Sequence, residues 1–294
     1  MYDLPQNIMR AGNPMTRPIR RRAAVTLSLC AVLVLAACGS SSTRGRMANP
    51  RPLLPENYQA AGIPSQFGDT DPIDWTEHDI RPSAYPVHGI DASRYQGDID
   101  FATARANGVN FAWLKVTEGG DHLDPGYEIN APRARAAGVP VGGYHFYYFC
   151  RTPAEQARWF IKNVPRVAGD LPPMLDMEWN HQSRTCNRRP DAETVRDEIR
   201  QYAAIVTSHY GTPPVIYVTP DFYAENELGK LAGYEFWLRS VAAHPSERYP
   251  DERWTFWQYS GTGVAKGVKG NVDLNAFAGS VESWVGWLTG RRQQ

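Results

Sequence analysis

Two carboxylates stand two residues apart where Asp176 and Glu178 follow the apolar stretch that begins at Leu171. In a β-strand, residues i and i+2 point to the same face, roughly 6 to 7 Å apart along the chain, so both acids would face one site. Two crowded carboxyls resist ionising together, so one is pushed toward its protonated form while the other stays charged. A protonated carboxyl beside a carboxylate is the pair of groups that most glycosidases use to cleave a glycosidic bond. A solvated strand end, a helix cap or pairing with arginines is the alternative explanation.

Short apolar runs and helix-like segments alternate through the first half of the chain and would position this pair. Strand-like runs cover residues 87–92, 111–116, 141–149 and 173–178, and helix-like segments cover residues 99–107, 127–137, 153–163 and 192–210. Gly108, Gly138 and Gly211 stand where three of these segments end, as glycine often does after a helix. Four β-α units in succession predict a parallel sheet.

The second half of the chain contains strand-like runs separated by only short or weak helical stretches. These runs cover residues 215–219, 236–241, 255–259 and 270–274, which brings the number of predicted strands to eight. We therefore predict an α/β fold, an irregular (β/α)8 TIM-like barrel with reduced helices in its second half. An open doubly wound sheet is the alternative, but no glycine-rich phosphate loop supports it.

Chemistry in such barrels gathers at the carboxyl ends of the strands, and four acids would share that rim. Asp91 ends the first predicted strand, Asp176 and Glu178 end the fourth, and Asp273 lies in the eighth, next to the first in a closed barrel. Aromatic rings offer flat apolar surface to a sugar, and polar groups bind its hydroxyls. The predicted substrate-binding residues are Tyr144, Tyr147, Tyr217, Trp237, Arg239, Trp257, Gln258 and Tyr259. Core packing is the alternative role for each aromatic.

The N-terminus carries the features of an export signal. A basic patch that includes Arg17 precedes an apolar run at residues 23–37, too short to span a bilayer comfortably. The run ends in Leu-Ala-Ala-Cys, which resembles a bacterial lipobox, so we predict that Cys38 carries lipid and starts the mature chain. An ordinary cleavage site is the alternative, and Met15 is a possible true start. Domain boundaries follow: signal peptide 1–38, flexible tether 39–86, catalytic barrel 87–285 and C-terminal tail 286–294.

Cysteine use and charge narrow the class of protein further. Once Cys30 leaves with the signal and Cys38 is lipidated, Cys150 and Cys186 remain, which suggests one disulfide in an exported protein, with free thiols as the alternative. No cysteine or histidine pattern has metal-ligand spacing, so we expect no metal and no cofactor. Lysine plus arginine equals aspartate plus glutamate at 31 each, so no net charge points to nucleic acid.

Five motifs in order closely resemble the glycoside hydrolase family 25 lysozymes, the Chalaropsis-type muramidases. They are GIDASRYQGDIDF from Gly89, KVTEG from Lys115, GGYHFY from Gly142, MLDMEW from Met174 and WQYSGTGVAKGVKGNVDLNAF from Trp257. The resemblance covers nearly all of residues 87–277, and the acids of the family fall on Asp91, Asp176, Glu178 and Asp273. The segment 180–191, which contains Cys186 and three arginines, is additional to the usual form of the family.

The resemblance implies hydrolysis of the β-1,4 bond between N-acetylmuramic acid and N-acetylglucosamine in peptidoglycan. It gives Glu178 the role of general acid and then base, and Asp176 that of a direct nucleophile or of a stabiliser of an intermediate formed by the substrate's own acetamido group. We favour the second route, and both retain the anomeric configuration. Asp91 and Asp273 would set the orientation and protonation of the pair.

The expected partners are peptidoglycan glycan strands and, through Cys38, a membrane. We expect a monomer that faces the periplasm or cell envelope, at an outer membrane if the cell has one. Two rival functions are a lipid-anchored wall-binding protein without turnover and a chitinase-like enzyme. The second would need further acids upstream of Asp176, which the segment 171–179 lacks.

Overall fold

Eight strands close into a barrel in the computed structural model, which describes residues 67–291 and 293. The strands of this part of the chain are β1 (Phe67–Asp69), β2 (His88–Ala92), β3 (Val109–Glu118), β4 (His122–Leu123), β5 (Val141–Phe146), β6 (Met174–Met177), β7 (Val215–Val218), β8 (Glu235–Arg239), β9 (Trp254–Ala265) and β10 (Val272–Phe277). Its helices are α1 (Phe101–Ala106), α2 (Gly126–Ala136), α3 (Pro153–Asn163), α4 (Ala192–Tyr210), α5 (Pro220–Glu225), α6 (Pro245–Arg248) and α7 (Val281–Arg291).

The barrel strands follow one another in the order β2, β3, β5, β6, β7, β8, β9 and β10. Each pair from β2 to β9 is parallel, but β10 runs antiparallel to both β9 and β2 and so closes the barrel. The α/β class and the eight barrel strands are as predicted, whereas the regular (β/α)8 arrangement is not confirmed. Only the four-residue α6 separates β8 from β9, and no helix separates β9 from β10 in this described region.

Two predicted helices of the first half have the bounds expected from their end signals. Helix α3 begins after Thr152, whose side chain accepts a hydrogen bond from the backbone N–H of Glu155 while the Glu155 side chain bonds back to Thr152. Helix α4 begins after Asp191, which caps the Thr194 N–H, and ends at Gly211 with φ of 77°. These helices lie between β5 and β6 and between β6 and β7, so they fix the strand that carries Asp176.

Aromatic side chains fill the interior of the barrel. The Trp113 ring centroid lies 5.0 Å from the centroids of both Trp237 and Phe256. A Cβ at Gly142 would come within 2.6 Å of the Trp113 ring nitrogen, so the absence of a side chain there makes room for the indole. The middle of the barrel is therefore a packed core, and the cleft lies above it.

Helix α7 covers the mouth formed by the amino ends of the parallel strands. The Trp284 ring centroid lies 5.3 Å from Phe111 and 5.3 Å from Phe277, and the Trp287 indole donates to the Glu235 carboxylate at 2.7 Å. Beyond the helix, the backbone N–H of Gln293 donates to the Asp170 carbonyl at 2.8 Å. The prediction of a C-terminal tail at 286–294 is therefore wrong for the described residues, because they continue helix α7 and its Trp287 and Leu288 pack against the core.

The folded part begins well before residue 87. Strand β1 pairs antiparallel with β9, and Asp69 accepts hydrogen bonds from Ser260 at 2.5 Å and Thr262 at 2.7 Å. Trp75 is 1% exposed and packs edge-on against Trp257 at 5.4 Å. The predicted tether is thus wrong over residues 67–86, since these residues bury aromatic surface against β9. The predictions for residues 1–66, including the signal peptide, the start at Met15 and lipidated Cys38, lie outside the described residues.

Cys150 and Cys186 form a disulfide, which confirms the predicted pairing. Their Cα atoms lie 5.8 Å apart, and the bridge joins the segment after β5 to the segment after β6. Among the described helices, none is both long and apolar enough to cross a membrane.

Candidate active site

Four carboxyl side chains converge on one cleft of about 420 Å³ at the carboxyl-end mouth of the barrel. Asp91 and Asp273 are paired across β2 and β10, while Asp176 lies in β6 and Glu178 follows that strand. Because β10 runs in the opposite direction, its beginning, and not its end, brings Asp273 to this mouth. The alternation of side chains along β6 places Met174, Asp176 and Glu178 on the face that lines the cleft.

Asp91 and Asp273 form a hydrogen-bonded pair supported by amides. Asn275 donates to Asp91 Oδ2 at 2.8 Å and Gln258 donates to the same oxygen at 3.1 Å. Burial raises the pKa of the Asp91 carboxyl, whereas these donors and Asp273 oppose the rise. Burial and the neighbouring charge of Asp91 hold the pKa of Asp273 well above its usual range. The amide donors favour a charged Asp91 that accepts the proton of a neutral Asp273.

Asp176 is buried without the partners that a carboxylate normally has. It is 8% exposed, and its Oδ1 has no hydrogen-bond partner among the described residues. Burial and the nearby charge of Glu178 hold the pKa of Asp176 well above its usual value. Burial also raises the pKa of Glu178, although the charges of Arg239 and Lys115 oppose that rise. In the substrate-free protein ionisation of both carboxyls at once is therefore disfavoured.

Two cations stand at the edge of the acid cluster. Lys115 Nζ lies 2.6 Å from Glu118 Oε2 and 4.8 Å from the centroid of the Phe146 ring. The Tyr148 hydroxyl donates to the other oxygen of Glu118, so Tyr148 orients the carboxylate that pairs with Lys115. Arg239 lines the cleft from β8. These positive charges limit the repulsion among the acids without pairing directly with them.

Eight of the residues predicted for the site line this cleft together. They are Asp91, Asp176, Glu178, Asp273, Tyr144, Tyr217, Arg239 and Gln258. The Tyr217 hydroxyl donates to Gln258 Oε1 at 2.9 Å, which orients the Gln258 amide so that it donates to Asp91. A concave site with buried acids, amides and tyrosines can bind a sugar and move a proton to or from it.

The structure does not place the other four predicted substrate-binding residues in the cleft. Tyr147, Trp257 and Tyr259 are at most 1% exposed and point away from the barrel interior, because each alternates with an inward-facing neighbour. Tyr147 donates to Glu198, and the Trp257 indole donates to the Ser240 carbonyl. Trp237 does point inward, but it is fully buried beneath Tyr217, with its indole bonded to Asn275. Its role is to support the floor of the cleft.

Several lining residues were missed by the sequence reasoning. Strand alternation would have found Phe146 and Met174, which stand two residues from Tyr144 and Asp176 on the same faces. Asn275, two residues after Asp273, would have followed in the same way; it is fully buried below the lining and donates to Asp91. Ser93 and Tyr95 lie in a 3-10 turn after β2, where no strand period applies, and Tyr95 is 78% exposed at the edge of the cleft.

Comparison with known proteins assigns the family. The sequence model of Glycosyl hydrolases family 25 matches residues 90–268. The chain is 34% identical over 220 residues to the protein YegX of Escherichia coli strain K12, covering 72% of this chain and 77% of that protein. It is 34% identical over 203 residues to lysozyme M1 of Streptomyces globisporus, covering 66% and 68%. A bacterial lysozyme structure from Streptomyces coelicolor is similar with TM-score 0.62 and 32% identity, covering 69% of this chain and 97% of that one.

The chain belongs to glycoside hydrolase family 25, as its five motifs predicted. It is therefore a glycoside hydrolase of the family that contains lysozymes and N,O-diacetylmuramidases. Its closed eight-stranded α/β barrel is similar to solved structures of that family.

Proposed function

We propose that this protein is a lysozyme that hydrolyses the β-1,4 bond between N-acetylmuramic acid and N-acetylglucosamine in peptidoglycan. The observation that carries the proposal is the unpartnered, buried Asp176 oxygen next to Glu178 in a cleft lined by tyrosines. An unpaired buried carboxylate is unfavourable unless a ligand completes it, because desolvation is otherwise uncompensated. The acetamido N–H of a bound sugar is a donor of the required kind.

In the proposed reaction, Glu178 donates its proton to the glycosidic oxygen while the acetamido oxygen attacks the anomeric carbon. The bond to the leaving sugar breaks, and a cyclic oxazolinium-like intermediate carries the positive charge. Asp176 holds the acetamido N–H and stabilises that charge. Glu178, now a carboxylate, then takes a proton from a water molecule while the water oxygen attacks the same carbon. The bond between that carbon and the acetamido oxygen breaks, which restores the acetamido group, so the anomeric configuration is retained. Direct attack by Asp176 is the other retaining route.

Substrate binding would also place the proton correctly. Without substrate, burial raises the pKa of both carboxyls, and Asp176 Oδ1 has no donor among the described residues that would favour the charged form of Asp176. A hydrogen bond from the acetamido N–H to the Asp176 carboxylate lowers the pKa of Asp176, and the negative charge there then raises the pKa of Glu178. The bound 2-acetamido sugar therefore favours the reactive state, an ionised Asp176 beside a protonated Glu178. The charge of Asp91 also raises the pKa of Glu178, less than burial does.

We further propose that the protein is exported and anchored through lipid on Cys38, facing the cell envelope as a monomer. The lipobox-like sequence before Cys38 and the disulfide of the barrel support this placement. Metabolic labelling with a fatty acid tests it. We expect label on the wild-type chain and none on Cys38→Ala, and label on both variants would contradict the anchor.

The reducing-end sugar of the products tests the proposed bond. Purified peptidoglycan is digested with the protein, the products are reduced with borohydride, and their ends are identified by mass spectrometry. We expect reduced N-acetylmuramic acid. Reduced N-acetylglucosamine would assign the other glycosidic bond, and intact strands under conditions where the protein co-sediments with peptidoglycan would favour a binding protein without turnover.

A further inference from the structure

A second, more enclosed cavity of about 150 Å³ lies beside the cleft and shares Glu178 with it. Its walls are the segment after β5, with Tyr148 and Phe149, and the segment after β6, with Trp179, Arg188 and Arg189. The second of these segments contains the stretch 180–191, which the sequence predicts to be additional to the usual form of the family. At this volume the cavity is suited to one small group and is too small for a disaccharide.

The arginine-bearing wall is held in place by several independent contacts. The Cys150–Cys186 disulfide ties it to the segment after β5, and Arg188 donates to the Phe149 carbonyl at 3.3 Å. The Arg189 guanidinium lies 4.9 Å from the Trp179 ring centroid, and the Trp179 indole donates to Glu225 at 2.6 Å. A wall fixed in this way is ready to bind, because little side-chain freedom is left to lose.

The charge of the lining favours an anion. Arg188 and Arg189 face a single carboxyl in the lining, that of Glu178, and the proposed function requires this carboxyl to be protonated when substrate is bound. Three outer carboxylates reduce the positive charge in part: Glu225 lies 3.6 Å from Arg189, Asp221 lies 3.9 Å from His181 of the lining, and Glu198 lies behind Tyr147. In the contact with Phe149, Arg188 has a neutral acceptor, so its charge is not cancelled there. Guanidinium groups bind carboxylates in pairs of parallel hydrogen bonds.

We propose that this cavity, the arginine pocket (Tyr148, Phe149, Glu178, Trp179, Arg188 and Arg189), binds a carboxylate of the muramic-acid side arm while Glu178 acts on the glycosidic bond. The proposal rests on the proposed function, because the position of the cut bond at Glu178 decides which sugar lies next to the arginine pocket. Two sources share this chemistry, the peptide attached to muramic acid and the lactyl carboxylate that is exposed when the peptide is removed. The pocket would make the enzyme select glycan that carries an anion next to the bond it cuts.

The test compares three forms of one peptidoglycan preparation. The first is native, the second has all carboxylates converted to N-methylamides with carbodiimide and methylamine, and the third has its peptides removed by an amidase. For the wild type we expect an apparent KM about three- to tenfold lower on the native form than on the methylamide form, the size of one or two charge-assisted contacts at a partly exposed site. A low KM on the third form would identify the lactyl carboxylate as sufficient.

The double variant Arg188→Gln/Arg189→Gln should lose the preference for native over methylamide peptidoglycan. Arg200→Gln is the matched control, since Arg200 is an exposed arginine of α4 paired with Asp197, and it should keep the wild-type preference. A double variant that retains the preference would overturn the arginine pocket, even if hydrolysis is confirmed.

Binding without turnover separates this proposal from the proposed function. Co-sedimentation of Glu178→Gln, with and without the two arginine substitutions, is measured on native and methylamide peptidoglycan. We expect the arginine substitutions to weaken binding only to the native form. Equal binding to both forms by all variants would reject the pocket, whereas absence of hydrolysis by the wild type would reject only the proposed reaction.

Discussion

The two mouths of this barrel are formed by the same strands, but one buries apolar rings and the other buries carboxyl groups. At the amino-end mouth, Trp284 and Trp287 of α7 pack on Phe111, Phe256 and Phe277, and the Trp287 indole donates to Glu235. At the carboxyl-end mouth, four carboxyls are crowded and one Asp176 oxygen has no partner among the described residues. The first mouth contributes stability, and the second keeps an unfavourable arrangement that only a ligand completes.

Among the variants that compare the two mouths, the largest expected effect is that of Asp176→Asn at the carboxyl-end mouth. An amide cannot stabilise a developing positive charge, so we expect hydrolysis of purified peptidoglycan to fall by about 10²- to 10³-fold. Reducing-sugar release at substrate saturation measures the loss. Activity within a few-fold of the wild type would remove Asp176 from the mechanism.

The same substitution should stabilise the fold at neutral pH. Burial raises the pKa of Asp176 in the folded protein above the unfolded value of about 3.9. The folded protein therefore loses stability as pH rises from the unfolded pKa to the folded pKa, and above the folded pKa the full free-energy cost of the buried charge is present. Removing the buried charge should raise the free energy of unfolding by about 1 to 3 kcal/mol at pH 7. Urea denaturation at pH 7 and pH 4 measures this, and a gain that is larger at pH 4 would contradict the sign.

For Trp284→Ala, at the amino-end mouth, we expect a loss of stability without a loss of turnover. Deleting a buried aromatic side chain leaves a cavity and typically costs about 3 to 5 kcal/mol. Turnover per folded molecule should stay near the wild-type value, since Trp284 lies at the other end of the barrel from the cleft. Thermal denaturation and activity at a temperature below the transition check the two parts. A fall in turnover without a fall in stability would show that the two mouths are not separate.

The disulfide beside the carboxyl-end mouth gives an intermediate effect. Cys150→Ser/Cys186→Ser removes the cross-link and should lower the free energy of unfolding by about 2 to 4 kcal/mol, because the unfolded chain gains freedom. Guanidinium denaturation of the exported protein measures the loss. An unchanged midpoint would mean that the surrounding contacts hold the two segments without the bridge.

The smallest effect sharpens the electrostatics of the cleft. The charge of Lys115 lowers the pKa of both Asp176 and Glu178, so Lys115→Met should raise them and move the alkaline limb of the activity profile to higher pH, by about one unit or less. Lys162→Met, a change to an exposed lysine of α3, should leave the limb in place. A shift of the Lys115→Met limb to lower pH would contradict the direction.

Sequence reasoning located the acids because strand alternation and strand ends are local properties. Asp176 and Glu178 followed from period-two spacing, and helices α3 and α4 from their caps. The prediction that Trp257, Gln258 and Tyr259 all bind substrate did not apply this alternation. These three residues are consecutive in one strand, and only Gln258 faces the cleft. Strand alternation would have excluded three of the four residues that lie outside the cleft, namely Trp257, Tyr259 and Tyr147.

The features that were missed depend on long-range packing. The reversal of β10 has no local signal, because an isolated strand does not record the direction of its neighbours. Residues 67–86 lack periodicity, yet Trp75 is buried against Trp257, far along the chain. The role of α7 likewise depends on an open mouth with apolar rings, which exists only once the barrel has closed.

The most direct test of the account is the turnover of purified peptidoglycan by Glu178→Gln, with Glu193→Gln, an exposed glutamate in the first turn of α4, as the matched control. General acid catalysis contributes about 10²- to 10⁴-fold, so we expect a loss of that size for Glu178→Gln and none for Glu193→Gln, with both variants folded by circular dichroism. Turnover by Glu178→Gln within a few-fold of the wild type would contradict the account.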